Sequence, residues 1–147
     1  MVIKPTKNAV GQAGVYRVMS ELLLRGHNPA IFAYDDGVDI LLENGKTVQV
    51  KTSNKATKRK DVYYFQMDSY MKLLKNISEG KFTGQYRLPD FFIFWGIDDS
   101  ECIILPKEQL PNKVHISISL NPKRKGMGAR KNRNPLLEFK NKWELLN

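Results

Sequence analysis

Three side chains around an Asn-Gly pair could together hold a metal ion and act on a phosphate. Asp39 lies in the apolar segment before this pair, and Gln49 and Lys51, ten and twelve positions later, lie in the apolar segment after it. A carboxylate, an amide oxygen and the intervening main-chain carbonyl of Val50 are hard oxygen donors, which suit Mg²⁺ or Mn²⁺. An ammonium beside such an ion can orient or deprotonate water, or neutralise charge that builds on a phosphate. These groups form a candidate site for phosphodiester chemistry if the fold brings them together.

The segments that carry these residues are predicted to be the two strands of a β-hairpin, 38–42 and 48–52. A two-residue turn at the Asn-Gly pair would mix polar and apolar residues on both faces. A three-residue turn over 44–46 gathers the apolar residues on one face and makes Asp39 and Lys51 cross-strand neighbours. Burial of the apolar face favours this second register. The ordinary alternative is a hairpin with an exposed Asp–Lys pair, which contributes little stability.

Helical and strand periodicities predict the elements that must position this hairpin. A first helix over 10–25 ends at Gly26, and the aromatic segment 90–97 is typical of a strand covered on both faces. Further strands are predicted at 30–33, 62–67, 101–105 and 114–120, with a short helix from Asp68. A helix, several strands and a closing helix indicate a mixed α/β sandwich. We expect one domain over residues 1–147, in which the basic segment 121–134 and a C-terminal helix 135–147 form an appended tail.

The charge is unevenly distributed and indicates a nucleic-acid partner. Lys and Arg outnumber Asp and Glu by 24 to 15, for a formal net charge of +9. The surplus is clustered in residues 51–60 and 123–133, and clustered cations neutralise phosphates. Solvated basic loops are the plain alternative, and a membrane surface is disfavoured because neither run lies on an amphipathic helix. The predicted nucleic-acid contacts are Lys55, Lys58, Arg59, Lys60, Lys123, Arg124, Lys125, Arg130, Lys131 and Arg133.

Other classes of protein are disfavoured by composition. The sequence has no uninterrupted apolar run of membrane-spanning length and no secretion signal, so we expect a cytoplasmic protein without membrane contact. Cys102 is the single cysteine, which excludes an internal disulfide and fits a reducing compartment. A structural zinc site is disfavoured because Cys102 and the two histidines lie far apart in the sequence.

Residues 11–53, which include GVDI at 37–40 and VQVKTS at 48–53, resemble the PD-(D/E)XK phosphodiesterase superfamily. The resemblance is to its small members, which include homing endonucleases and Holliday-junction resolvases. It implies a restriction endonuclease-like α/β/α sandwich with a central mixed sheet. It also implies Asp39 as metal carboxylate, Gln49 in the position usually filled by Glu or Asp, Lys51 as catalytic lysine, and Thr52 and Ser53 in the groove that holds phosphate.

The resemblance further implies a Mg²⁺-dependent or Mn²⁺-dependent endonuclease that hydrolyses duplex or branched DNA through a metal-activated water and leaves 5′-phosphate ends. Cutting both strands requires two sites, so a homodimer or higher homo-oligomer is expected. The sequence departs from the family at two positions: Gln49 is neutral, and Val15 stands where the first helix usually carries Glu. Two alternatives therefore stay open, a nucleic-acid-binding relative that does not cut, and an interaction protein whose basic loops contact an acidic protein.

Overall fold

A five-stranded mixed sheet runs through the centre of the computed structural model, which describes residues 3–34, 36–58, 61–81, 84, 87–121 and 134–147. The sheet has the order β1-β2-β3-β5-β6; β3 and β5 are parallel, and the other neighbours are antiparallel. A separate antiparallel ribbon pairs β4 with β7. The elements are α1 (Lys7–Leu24), β1 (Ala30–Ile31), β2 (Ile40–Leu41), β3 (Thr47–Ser53), β4 (Tyr63–Gln66), α2 (Asp68–Ser78), β5 (Phe91–Gly96), β6 (Glu101–Pro106) and β7 (His115–Ile118).

Each face of the central sheet has its own hydrophobic core. On one face, which we call the helix side, Val15, Val18 and Leu22 of α1 pack on Val48 and Val50 of β3. On the other face, the ribbon side, residues of β4, β7 and α2 pack on the aromatic side chains of β5. The predicted mixed α/β sandwich is confirmed. The aromatic strand β5 is covered on both faces, as predicted, because its alternate side chains enter the two cores. No described helix is long and apolar enough to cross a membrane.

Helix α1 begins and ends where local chemistry satisfies its main chain. The Thr6 hydroxyl accepts the N–H of Ala9 at 3.2 Å, which caps the first turn three residues before the predicted start. Gly26 follows the helix with φ of +89°, a left-handed conformation that glycine adopts at little cost. The predicted glycine stop is confirmed.

The β2–β3 hairpin has the predicted faces but a different register. Ile40 pairs with Val48 and Leu41 with Thr47, so the partner of each β2 residue lies two positions earlier than expected. The turn occupies three residues, but they are 43–45, with Gly45 last in a left-handed conformation (φ +84°). Because a shift of two keeps side chains on the same faces, the apolar face is unchanged. Asp39 and Lys51 are consequently not direct cross-strand partners, and that prediction was wrong.

The C-terminal segment is not the single helix 135–147 that its periodicity predicts. It forms two short 3₁₀ helices, Pro135–Phe139 and Trp143–Leu146. Between them, Lys140 forms a β-bridge with Ile103 of β6, and Asn141 adopts a left-handed conformation while its side chain accepts the N–H of Cys102 at 3.1 Å. The first 3₁₀ helix packs into the ribbon-side core and the second into the helix-side core. The segment is thus integrated into both cores and covers the edge of β6, rather than being appended to the body.

Candidate functional site

The carboxylate of Asp39 is held against the main chain of β3. Pairing between β2 and β3 ends at Ile40, and the N–H of Asp39 donates to the Val48 carbonyl at 2.9 Å. One step further along β3, the N–H of Val50 donates to Oδ2 of Asp39 at 2.7 Å. The Asp39 carboxylate thereby accepts the Val50 N–H, which has no main-chain partner in β2 because the pairing stops at Ile40. A carboxylate offers about four lone-pair positions, so accepting one N–H does not exhaust its capacity to bind a cation.

The Val50 carbonyl is placed on the same side of β3 as Asp39. The N–H and C=O of one strand residue point in the same direction across the sheet. Since the Val50 N–H is directed to Asp39, its carbonyl is also directed away from β5 and towards the gap where β2 ends. The two predicted oxygen donors therefore share one edge of β3.

Among the described residues, Gln49 is the only polar or charged one that is buried as a whole residue, with 6% of its surface exposed. Its side-chain oxygen, Oε1, is buried and has no hydrogen-bond partner. Gln49 precedes Val50, whose N–H holds Asp39, and it pairs in register with Phe92 of β5. A buried amide oxygen without a hydrogen-bond partner either destabilises the fold or serves as a ligand atom for a group that binds there.

Lys51 follows Val50 and lies on the same face as Gln49, because strand residues two apart share a face. It is half-buried, and its register partner is Phe94 on the ribbon side. Asp39 directly precedes β2 and is held by the N–H of Val50, the residue between Gln49 and Lys51. The acid, the amide and the ammonium are thus grouped around Val50.

Thr52 and Ser53 do not share a groove, which corrects the prediction for Thr52. Thr52 is on the helix side, where its Oγ1 lies so near α1 that a Cβ on Gly14 would be 1.7 Å from it. This hydroxyl is buried and has no hydrogen-bond partner. Ser53 is on the side of Lys51, and its hydroxyl donates to the Asn54 carbonyl at 3.0 Å. Successive strand residues face opposite ways, so only Ser53 can extend the surface that Lys51 begins.

A cleft of about 310 Å³ connects Asp39 to α1. Gln12, Val15 and Tyr16 line it from the helix, and they share one side of α1 because they are three and four residues apart. The residues predicted from the sequence did not include Gln12 and Tyr16, although their spacing relative to Val15 could have identified them. Glu21, the acidic residue of α1, forms an ion pair with Arg25 at 3.1 Å.

The described residues contain no cluster of three His, Cys, Asp or Glu side chains that could hold a metal. Asp36, three positions before Asp39, is bound to Arg87 at 3.0 Å, and Asp35 lies outside the described residues. Burial raises the pKa of Cys102 to about 12, so this thiol stays protonated. A cation at the site would therefore be held by the single carboxylate of Asp39 together with neutral oxygens.

The predicted nucleic-acid contacts are only partly within the described residues. Lys58 is exposed, whereas Lys55 is bound to Asp99 at 2.8 Å. Asp99 also accepts the Tyr63 hydroxyl at 2.9 Å. Burial opposes ionisation of Asp99, but the hydrogen bonds from Lys55 and Tyr63 outweigh it and hold its pKa below the usual value. Arg59, Lys60, Lys123, Arg124, Lys125, Arg130, Lys131 and Arg133 lie outside the described residues.

Comparison with known proteins identifies the fold. No protein-family model matches the sequence, and no curated protein matches it. Among solved structures, the bacterial homing endonuclease I-Ssp6803I has the same fold, with a TM-score of 0.71 and 15% sequence identity over 97% of this chain and 92% of that one. At this identity the likeness concerns the fold alone, and the narrower PD-(D/E)XK assignment stays a prediction. The chain has a nuclease-like mixed α/β fold.

Proposed function

We propose that the chain is a DNA endonuclease that depends on a divalent cation, Mg²⁺ or Mn²⁺. Its site is formed by Asp39, Gln49, the Val50 carbonyl and Lys51. The proposal draws support from the similar fold of a homing endonuclease, from the net charge of +9 and from the grouping of these residues on β3.

The observation that carries the proposal is the buried Oε1 of Gln49. Leaving a buried acceptor without a partner costs about 1–3 kcal/mol. A cation beside Asp39 would remove that cost, since an amide oxygen is a suitable neutral ligand for Mg²⁺ or Mn²⁺. The residues therefore fit the ion, and the fit depends on oxygen donors rather than on an acidic cluster, which the described residues lack.

Each residue has a defined task in this proposal. Asp39, fixed by the Val50 N–H, supplies the negative charge that holds the cation, while Gln49 and the Val50 carbonyl complete the oxygen set. A bound divalent cation would polarise the phosphate and make a nearby water more acidic. Lys51 orients the attacking water or neutralises charge that builds on the phosphate. In the hydrolysis, a P–O bond forms to the water oxygen and the P–O3′ bond breaks, while the proton lost by the water is replaced by one gained by the departing 3′ oxygen, which leaves as a hydroxyl.

Cleavage assays on supercoiled and branched DNA test the proposal. With Mg²⁺ or Mn²⁺, we expect the wild type to cut, and Asp39→Asn and Lys51→Ala to lose about 100-fold or more of the rate, as is usual when a general acid–base or charge-stabilising group is removed. Lys72→Ala on α2 is the matched control, because Lys72 is a lysine outside the site. Activity that Lys51→Ala leaves unchanged would contradict the role given to the lysine.

A non-cutting DNA-binding protein is the second candidate, and a specific observation favours it. Val15 is buried in the helix-side core and lines the cleft that reaches Asp39, so no second carboxylate is supplied from this position of α1. This candidate predicts duplex binding without cleavage in either metal. The same assays decide between the two functions, since binding and cutting are measured on one substrate.

We also propose that the active form is a homodimer. A nuclease with one site per chain cuts both strands of a duplex when a two-fold axis relates two copies. Sedimentation in the presence of DNA should give two chains per duplex, and double-strand cuts should appear together rather than as successive nicks. A monomeric protein that converts all of the supercoiled DNA to nicked circles before any linear DNA appears would contradict the proposed homodimer.

A further inference from the structure

The outer face of the β4–β7 ribbon carries four exposed side chains with hydrogen-bonding groups. Burial alternates along both strands: Tyr63, Phe65, Ile116 and Ile118 point into the core. The residues between them are exposed, and two pairs lie opposite each other in register: Tyr64 with Ser117, and Gln66 with His115. None of these four carries a carboxylate, so the face does not repel phosphate.

We propose that this face reads base edges in the major groove of duplex DNA. The inference rests on the proposed DNA endonuclease and deepens it, because it assigns sequence preference to residues outside the cleavage site. A two-stranded antiparallel ribbon fits the major groove of B-form DNA, whereas the deep, narrow major groove of RNA duplexes does not admit it. Duplex DNA is therefore the partner that this geometry favours.

The spacing of the four side chains matches that of stacked base pairs. Directly opposed residues are about 5 Å apart, and alternate residues of one strand are about 7 Å apart. Base pairs along the duplex are about 3.4 Å apart, so this face spans about three of them. Gln66 has the amide that binds adenine through two hydrogen bonds, and the hydroxyls of Tyr64 and Ser117 can donate or accept.

The ribbon also connects to both basic runs of the sequence at one end. Because Tyr63 pairs with Ile118, β4 starts at the end of the ribbon where β7 finishes. The chain arrives there from the run 51–60 and leaves there towards the run 123–133. Lys55 forms a β-bridge with Tyr63, and beyond the second run Asn134 donates to the Ser117 carbonyl at 3.2 Å. Both basic runs thus join this end of the ribbon within a few residues of sequence, and contacts to phosphate next to contacts to bases are a usual division of labour in DNA recognition.

Selection from a random duplex library measures this inference separately from cleavage. The selections use Lys51→Ala, which prevents cutting, with and without the added change Gln66→Ala or the combined changes Tyr64→Ala, Gln66→Ala, His115→Ala and Ser117→Ala. All four positions are exposed, so thermal melting should be unaffected. We expect the combined variant to lose base preference at about three adjacent base pairs, by roughly tenfold each, with an unchanged salt dependence of binding.

Lys58→Ala is the matched control, because this exposed lysine should contact phosphate and not bases. It should reduce the slope of log affinity against log salt by about one without changing the selected sequence. If the combined variant selects the same sequence with the same discrimination, the inference is overturned even though cleavage stands. If the wild type cuts DNA but selects no sequence, the inference is overturned too. A chain that neither binds nor cuts DNA overturns this inference and the proposed function together.

Discussion

At the scale of single residues, the site depends on an amide where a second carboxylate would be the stronger ligand. Gln49 is neutral and precedes Val50, whose N–H holds Asp39, so the proposed site carries one negative charge rather than two when no cation is bound. The cost is weaker attraction for the cation, since affinity for hard divalent ions rises with the charge of the ligand set. If the proposed site binds a cation, Gln49 thus favours stability of the free protein over tight metal binding.

Gln49→Glu tests this balance. We expect the variant to bind Mn²⁺ about tenfold more tightly or better, because it adds a charged ligand. In the free variant, burial should raise the pKa of the new carboxyl above its unfolded value of about 4.3, so the free energy of unfolding should fall as pH rises above that value. Melting followed from pH 4 to 8, with and without Mn²⁺, measures both effects.

Gln66→Glu is the control, because Gln66 is exposed on the ribbon and its carboxyl variant should titrate normally. A Gln49→Glu protein that melts like the wild type at every pH, and binds Mn²⁺ no better, would show that position 49 neither is buried nor contacts a cation.

At the scale of elements, the approach of α1 to β3 sets the position of the cleft next to Asp39. The two elements meet where Gly14 lies over Thr52, with no room for a side chain on the helix. Glycine is needed at this point because of space and not because of backbone conformation. The contact brings Val15 and the helix face beside it to the cleft.

Gly14→Ala should destabilise the fold by about 1–3 kcal/mol, because its Cβ would overlap the Thr52 hydroxyl and force the helix away from the strand. Gly11→Ala, on the same helix with nothing within 4 Å of its Cβ, should instead stabilise by up to about 1 kcal/mol through helix propensity. Urea unfolding measures both. Adding Thr52→Ala to Gly14→Ala should recover only part of the loss, because the Cβ at position 52 would still lie 2.7 Å from the new Cβ. Gly14→Ala and Gly11→Ala proteins of equal stability would contradict the close contact.

The ribbon is attached to the end of the central sheet through Asp99, in the turn between β5 and β6. Lys55 and Tyr63 both donate to its carboxylate, and the Asp99 N–H donates to the Tyr63 hydroxyl at 3.0 Å. Burial raises the pKa of the Tyr63 hydroxyl, so it remains a donor throughout the ordinary pH range. This attachment fixes the start of β4 relative to the strand that carries the candidate site.

Because the folded-state pKa of Asp99 is lowered, its contribution to stability is present above the unfolded value of about 3.9 and is lost as pH falls through the folded value. Asp99→Asn should therefore lower the free energy of unfolding by roughly 1 kcal/mol or more at neutral pH, and the difference from the wild type should shrink below about pH 4. Glu138→Gln, at an exposed carboxylate, should show little difference at either pH. If Asp99→Asn lowers the free energy of unfolding by the same amount at every pH, the charge of Asp99 does not contribute to the stability of this attachment.

At the scale of the whole molecule, local patterns predict most elements, whereas register and the C-terminal segment depend on distant contacts. Alternation in β2 and β3 determines only which residues share a face, so a register two residues away satisfies it equally. The choice between them was made by the turn, where Gly45 is the third residue rather than the second. The C-terminal periodicity suits a helix, but the bridge from Lys140 to β6 and the Asn141 side chain interrupt it.

For the candidate site too, local sequence patterns predicted the residues but not their packing. The types and spacing of Asp39, Gln49 and Lys51 select the strand, and the Asp39 carboxylate is held by the N–H of Val50, the residue between the other two. The buried state of Gln49 and the cleft under α1 could not be predicted from local sequence, since both depend on packing between separate elements. The error at Thr52 was avoidable, because alternation along β3 already assigns it to the face opposite to Lys51.

The most direct test of the central claim is the position of a bound metal. Crystals of the protein with Mn²⁺ should give an anomalous difference peak within about 2.3 Å of an Asp39 carboxylate oxygen, Gln49 Oε1 and the Val50 carbonyl oxygen. Asp39→Asn crystals treated identically should lose the peak. A peak held by other residues, or none in crystals of a preparation that cuts DNA with Mn²⁺, would contradict the account of this site.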